Sequence, residues 1–140
     1  MIKLNKGFVT APTISANKLM LGQVYYALLA LGVNLGSGIA WFSGGVALTS
    51  TNPFLGAVFC ASLLVWSVAV MKTPDIPFWR TVNVIYSILV IIFGVISHLK
   101  SPFEGIGTVL VIILNTAGST LLILNSLLSP IVSTNRTLEP

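Results

Sequence analysis

Charge is what this sequence has least of. Only 7% of its 140 residues are Asp, Glu, Lys or Arg, seven basic against three acidic, where a soluble domain carries about 25%. A water-soluble globule cannot cover its surface with so few. Disorder is excluded too, because it needs low hydrophobicity and high charge, whereas 55% of this chain is hydrophobic and the mean hydropathy is +0.98. Cys60 is the only cysteine, so no intrachain disulfide can form. His98 is the only histidine, so one chain cannot supply two imidazoles to a haem, and one Cys with one His is too little for a zinc site. No four basic residues cluster, which argues against nucleic acid as a partner. Gly105-Ile106-Gly107 has too few glycines for a nucleotide loop and no strand before it.

What is present is apolar length. A helix crosses the hydrocarbon core with about 20 mainly apolar residues, and four such runs occur, at about 19–42, 53–71, 78–98 and 103–128. The expected fold class is all-α, an integral membrane four-helix bundle. Residues 1–18 form an N-terminal tail, 19–128 the four-span domain and 129–140 a C-terminal tail. Residues 7–17 are too polar for the apolar part of a secretory signal, so the first span is expected to insert as it stands.

The helix ends are signalled locally. Asn52-Pro53 reads as an N-cap followed by proline at the first helical position. Ser101-Pro102-Phe103-Glu104 has capping-box spacing, which accounts for Glu104 without a catalytic role. Ser43-Gly44-Gly45 ends the first helix, Thr73-Pro74-Asp75-Ile76-Pro77 makes a stiff loop, and Ser129-Pro130 ends the fourth. Trp41, Phe42, Phe78, Trp79 and Phe103 lie near span ends and read as interfacial anchors.

Charge sets the expected orientation. Lys3, Lys6, Lys18, Lys72, Arg80 and Arg136 fall on one side of a four-span chain, and only Lys100 on the other. The positive-inside rule then gives an N-in/C-in topology. The compartment expected is the bacterial inner (plasma) membrane.

No Asp, Glu, Lys or Arg lies at mid-span. Proton-coupled pumps and exporters keep an ionisable group there because it must change protonation. The small multidrug exporters share this length and helix number but rely on a glutamate in the first helix, and none occurs between Leu19 and Phe42. Ser-His-Asp catalysis through His98 and Asp75 fails because the two fall on opposite sides of the membrane. His98 reads as an interfacial residue at the negative end of the third helix dipole, with a single axial contact to a porphyrin-like pigment as the minor alternative. No other cofactor is expected, although a pigment or lipid stays open.

The polar residues within spans are Gln23, Asn34, Asn83, Asn115 and Asn125, with Ser62, Ser67, Ser87, Thr116, Ser119 and Thr120. An amide facing lipid without a partner costs several kcal/mol, so these side chains are expected to face helices, a partner chain or a ligand. Gly32 and Gly36 are four apart, with Leu28 and Ala40 on the same stripe, a spacing that lets another helix approach closely. The stripe does not by itself distinguish a contact inside the bundle from one between chains. Gly118 with Asn115 makes a similar patch on the fourth helix, and the first helix is expected to pack on it. The residues expected at helix packing or partner contact are therefore Gly32, Asn34, Gly36, Asn83, Asn115 and Gly118.

Asn83 in an apolar helix, a short turn, and Ser101-Pro102-Phe103-Glu104-Gly105 opening a long apolar helix resemble the pattern of small bacterial four-helix membrane proteins, over residues 53–128. That resemblance implies architecture alone, since no chemistry is assigned to such families. The function expected is non-enzymatic: an accessory or scaffold subunit of a larger membrane complex, whose partners are the bilayer and other membrane subunits or a second copy. The alternative is binding or transport of an uncharged or lipid-like ligand through a polar-lined bundle.

Overall fold

The computed structural model describes residues 13–47, 49, 52–72, 78–100 and 106–128, with side chains from Lys18 onward. Four helices make up the described chain: α1 (Thr13–Phe42), α2 (Pro53–Lys72), α3 (Trp79–Lys100) and α4 (Ile106–Leu128). From Lys18 on, each is long and apolar enough to cross a membrane. At about 1.5 Å per residue, the 20 residues of α2 reach about 30 Å, the thickness of the hydrocarbon core. α1 begins at Thr13, inside the N-terminal tail read from sequence at 1–18; residues 1–12 of that tail, the C-terminal tail 129–140, the proline loop 73–77 and the Ser101–Glu104 capping box lie outside the described residues.

Local chemistry explains the helix ends. The Phe54 backbone N–H donates to Asn52 Oδ1 at 3.0 Å, so Asn52 caps α2 and Pro53 fills the position where a missing N–H costs nothing. α1 stops at a Schellman turn. Gly44 N–H donates to the Trp41 carbonyl at 3.1 Å and Gly45 N–H to the Ala40 carbonyl at 2.9 Å. Gly44 carries the positive φ of 78° that this turn requires.

In the bundle, α1 packs against α2 and α4, and α3 packs against α4. Aromatic side chains bridge the α2–α3 seam. The Phe59 and Tyr86 rings are 5.5 Å apart, and Tyr86 Oη donates to Ser62 Oγ at 3.1 Å. α3 is not α-helical throughout. Its turns from Val90 to Ile96 are π-helical, and Ser97 N–H donates to the Ile92 carbonyl across the wider turn.

The distribution of polarity is that of a membrane protein. Gln23, Asn83, Asn125, Ser37 and Ser87 are among the largest fully buried side chains, beside Leu63, Leu122 and Val70. Leu29, Ile39, Leu55, Val58, Val65, Leu110 and Ile113 point outward. Lipid tolerates an apolar exterior but leaves a polar group no partner, so polar side chains are driven inward. The chain is a small, all-helical, multi-pass integral membrane protein.

Candidate functional site

Near the end of the bundle that carries Lys18, Lys72 and Arg80, all four helices contribute to one hydrogen-bonded knot. Gln23 Nε2 donates to Ser67 Oγ at 2.9 Å and to Asn83 Oδ1 at 3.3 Å. Its Oε1 accepts from Asn83 Nδ2 at 3.0 Å and from Asn125 Nδ2 at 2.8 Å. Trp66 Nε1 donates to Asn83 Oδ1 at 2.9 Å, and Ser67 Oγ to the Leu63 carbonyl at 2.7 Å. Gln23, Ser67, Asn83 and Asn125 are all buried. Both oxygen and nitrogen of the Gln23 amide are fully used, so it locks four helices together and has no capacity left for a ligand. Below it, Met20, Val70 and Trp79 close the end of the bundle, with the Arg80 guanidinium 5.5 Å from the Trp79 ring centroid.

The other half of the bundle is hollow. A cavity of about 50 Å³ reaches from Thr49 and His98 to Tyr26 and Asn115. Asn34 and Cys60 line it among apolar side chains, including Val33, Phe59, Val90 and Phe93. One water needs about 10–15 Å³ by this measure, so the space takes a group of a few heavy atoms. A layer containing Ala27, Leu63 and Leu122, all with zero exposure, separates the cavity from the Gln23 knot. Among the described residues the interior is therefore a blind pocket, closed toward the basic end.

The pocket floor depends on a close approach. Gly118 lets the Tyr26 ring lie across the α4 backbone, where any Cβ would collide with it. From there Tyr26 Oη donates to Asn115 Oδ1 at 2.9 Å. The two N–H groups of Asn115 go to the Val111 carbonyl at 2.9 Å and to the Gly94 carbonyl at 3.3 Å. The second of these reaches into the π-helical turn of α3, where Asn115 presses against Gly94. π-turns frequently sit at functional sites because they re-aim side chains and carbonyls. On α1, Asn34 Nδ2 donates to the Ala30 carbonyl at 2.8 Å and to Cys60 Sγ at 3.5 Å, and its Oδ1 lies over Gly56.

The six residues expected at packing or partner contacts thus separate. Asn83 belongs to the knot. Asn115 and Gly118 join α4 to α3 and α1, with α1 packed on α4 through Tyr26. Asn34 faces α2 at the pocket wall. Gly32 and Gly36 point out of the bundle: both are exposed, and a Cβ built on either meets nothing within 4 Å. His98 sits near the end of α3, where sequence places it, but is buried in the pocket lining, with the Phe93 and Gly94 backbone beside its ring. Trp79, read as an interfacial anchor, is buried against Met20 and Val70.

Two hydroxyls do not face inward as expected. Thr116 and Thr120 are exposed, and each bonds back to its own helix, onto the carbonyls of Ile112 and Thr116. Such back-bonding satisfies a hydroxyl in lipid without a neighbouring helix. Sequence reasoning missed Tyr26, Thr49 and Trp66. For Tyr26 and Trp66 the signal was available, since a buried phenol or indole needs a hydrogen-bond partner.

Among the described residues no three His, Cys, Asp or Glu side chains converge on a metal-sized space. No family model, curated protein or solved structure matches the chain.

Proposed function

We propose that this protein is a non-enzymatic accessory subunit that holds another transmembrane helix against the outer face of α1. One observation carries the reading: the Gly32/Gly36 stripe faces away from its own bundle. Sequence left two uses for the stripe, and the internal one is already served by Tyr26 on Gly118. Glycines four apart leave a shallow groove in the helix surface, flanked here by the exposed Leu28, Leu29 and Leu35. In lipid, where apolar burial gives little drive, such grooves favour association because backbones approach closely. The internal knot supports the same reading, because a bundle locked by Gln23 presents a fixed face. The end carrying Lys18, Lys72 and Arg80 lies at the cytoplasmic surface of a bacterial inner membrane by the positive-inside rule.

The test is extraction from the native membrane in mild detergent, comparing the natural chain with the G32L/G36L variant. The natural chain is expected in a particle larger than itself, with a stoichiometric partner or second copy. The variant is expected as a lone, folded bundle. A lone natural bundle, or a partner retained by the variant, would refute this reading.

A further inference from the structure

The pocket of Tyr26, Asn34 and Asn115 has a chemical preference that goes beyond the partner reading and does not depend on it. At these three side chains the N–H and O–H protons are already spent on partners inside the bundle. The single Tyr26 hydroxyl proton goes to Asn115 Oδ1, and both Asn115 N–H groups go to backbone carbonyls. Asn34 Nδ2 is turned to Ala30 and Cys60. The remaining capacity is lone pairs: those of Tyr26 Oη, the second on Asn115 Oδ1, and Asn34 Oδ1, which takes no N–H or O–H among the described residues. An acceptor-rich wall repels an anion. It also disfavours a cation, because no carboxylate lines the pocket and desolvation would go uncompensated. The match is a neutral group that donates hydrogen bonds.

Size and the apolar lining narrow the class. Only a few heavy atoms fit in about 50 Å³, so a larger molecule must leave the pocket past its apolar wall, which includes Phe59 and the half-exposed Phe93. The geometry points to the pocket as a binding site for the hydroxyl head of an uncharged amphiphile, a hydroxymethyl group on an apolar chain, with the hydroxyl donating to Tyr26 Oη. A free long-chain alcohol and the free hydroxyl of a diacylglycerol share this chemistry. The closed layer at Ala27, Leu63 and Leu122 makes it a resting place and not a passage.

The full chain in phosphatidylcholine nanodiscs, with ¹⁵N-labelled Asn and Gln, is titrated with 1-octanol, octane, octanoate and octylammonium. The side-chain amide signals of Asn34 and Asn115 are expected to shift saturably with octanol alone. Those of Gln23, Asn83 and Asn125, in the knot, stay in place and report an intact bundle. Repeating the titration with dioleoylglycerol separates the sources: saturation at lower concentration than octanol assigns the site to lipid, and the reverse order to a free alcohol. Tyr26→Phe is expected to weaken octanol about fivefold, in line with one hydrogen bond. The proposal is overturned if octanol gives no saturable shift, if octane or octanoate gives the same one, or if Tyr26→Phe binds octanol equally while the knot signals persist.

Discussion

At the scale of single residues, Gln23 holds more of this bundle together than any other side chain described, because its one amide reaches α2, α3 and α4. Gln23→Leu fills similar volume but removes the acceptor of the buried Asn83 and Asn125 N–H groups, and a buried donor that loses its acceptor is what costs free energy. Individual interhelical hydrogen bonds in membranes are worth under about 1 kcal/mol. Several lost together, with partners left buried, should lower stability by about 2 kcal/mol. Reversible unfolding in mixed micelles measures this. Thr120→Ala is the control: its hydroxyl donates back to its own helix at an exposed position, so its change should stay within about 0.5 kcal/mol. Equal losses for the two variants would mean that the knot is incidental.

At the scale of elements, two glycines do different work. Gly44 supplies a backbone conformation, φ 78°, that ends α1, so Gly44→Val should cost about 1–2 kcal/mol through the left-handed backbone alone. Gly118 supplies absence of volume under the Tyr26 ring. Gly118→Ala should cost about 1–3 kcal/mol by overpacking and also move the Asn115 side-chain amide signal, which Gly44→Val should leave alone. The contrast shows what could be read from the chain. Caps are local chemistry, so Asn52-Pro53 and Ser43-Gly44-Gly45 marked their helix ends in the sequence. The pocket is not local. Tyr26 meets Gly118 and Asn115 across two helices, and Asn115 meets Gly94 at a π-turn that nothing in the surrounding apolar run announces. Nor could sequence say which way Gly32 and Gly36 point. Where a helix is apolar all round, hydrophobic periodicity defines a stripe but no inward direction.

At the scale of the whole molecule, orientation is the property from which both proposals take their geography. Connectivity and the knot put Lys18, Lys72 and Arg80 at one end of the bundle, and Lys100 lies at the other end of α3. The pocket lies in the half of the bundle away from the basic end, behind Ala27, Leu63, Leu122 and then the knot. If basic residues face the cytoplasm, the His98 end faces outward and any amphiphile reaches the pocket from the outer leaflet. In a Cys60→Ala background, Lys100→Cys should then react with a membrane-impermeant maleimide on intact cells, and Lys72→Cys only after permeabilisation. Cys60 is buried, so its removal serves only to clear background labelling. The reverse pattern would turn the molecule over, placing the pocket in the cytoplasmic half of the bundle. The Gly32/Gly36 face would be unaffected, since it runs along the side of α1 and presents the same groove to a partner in either orientation.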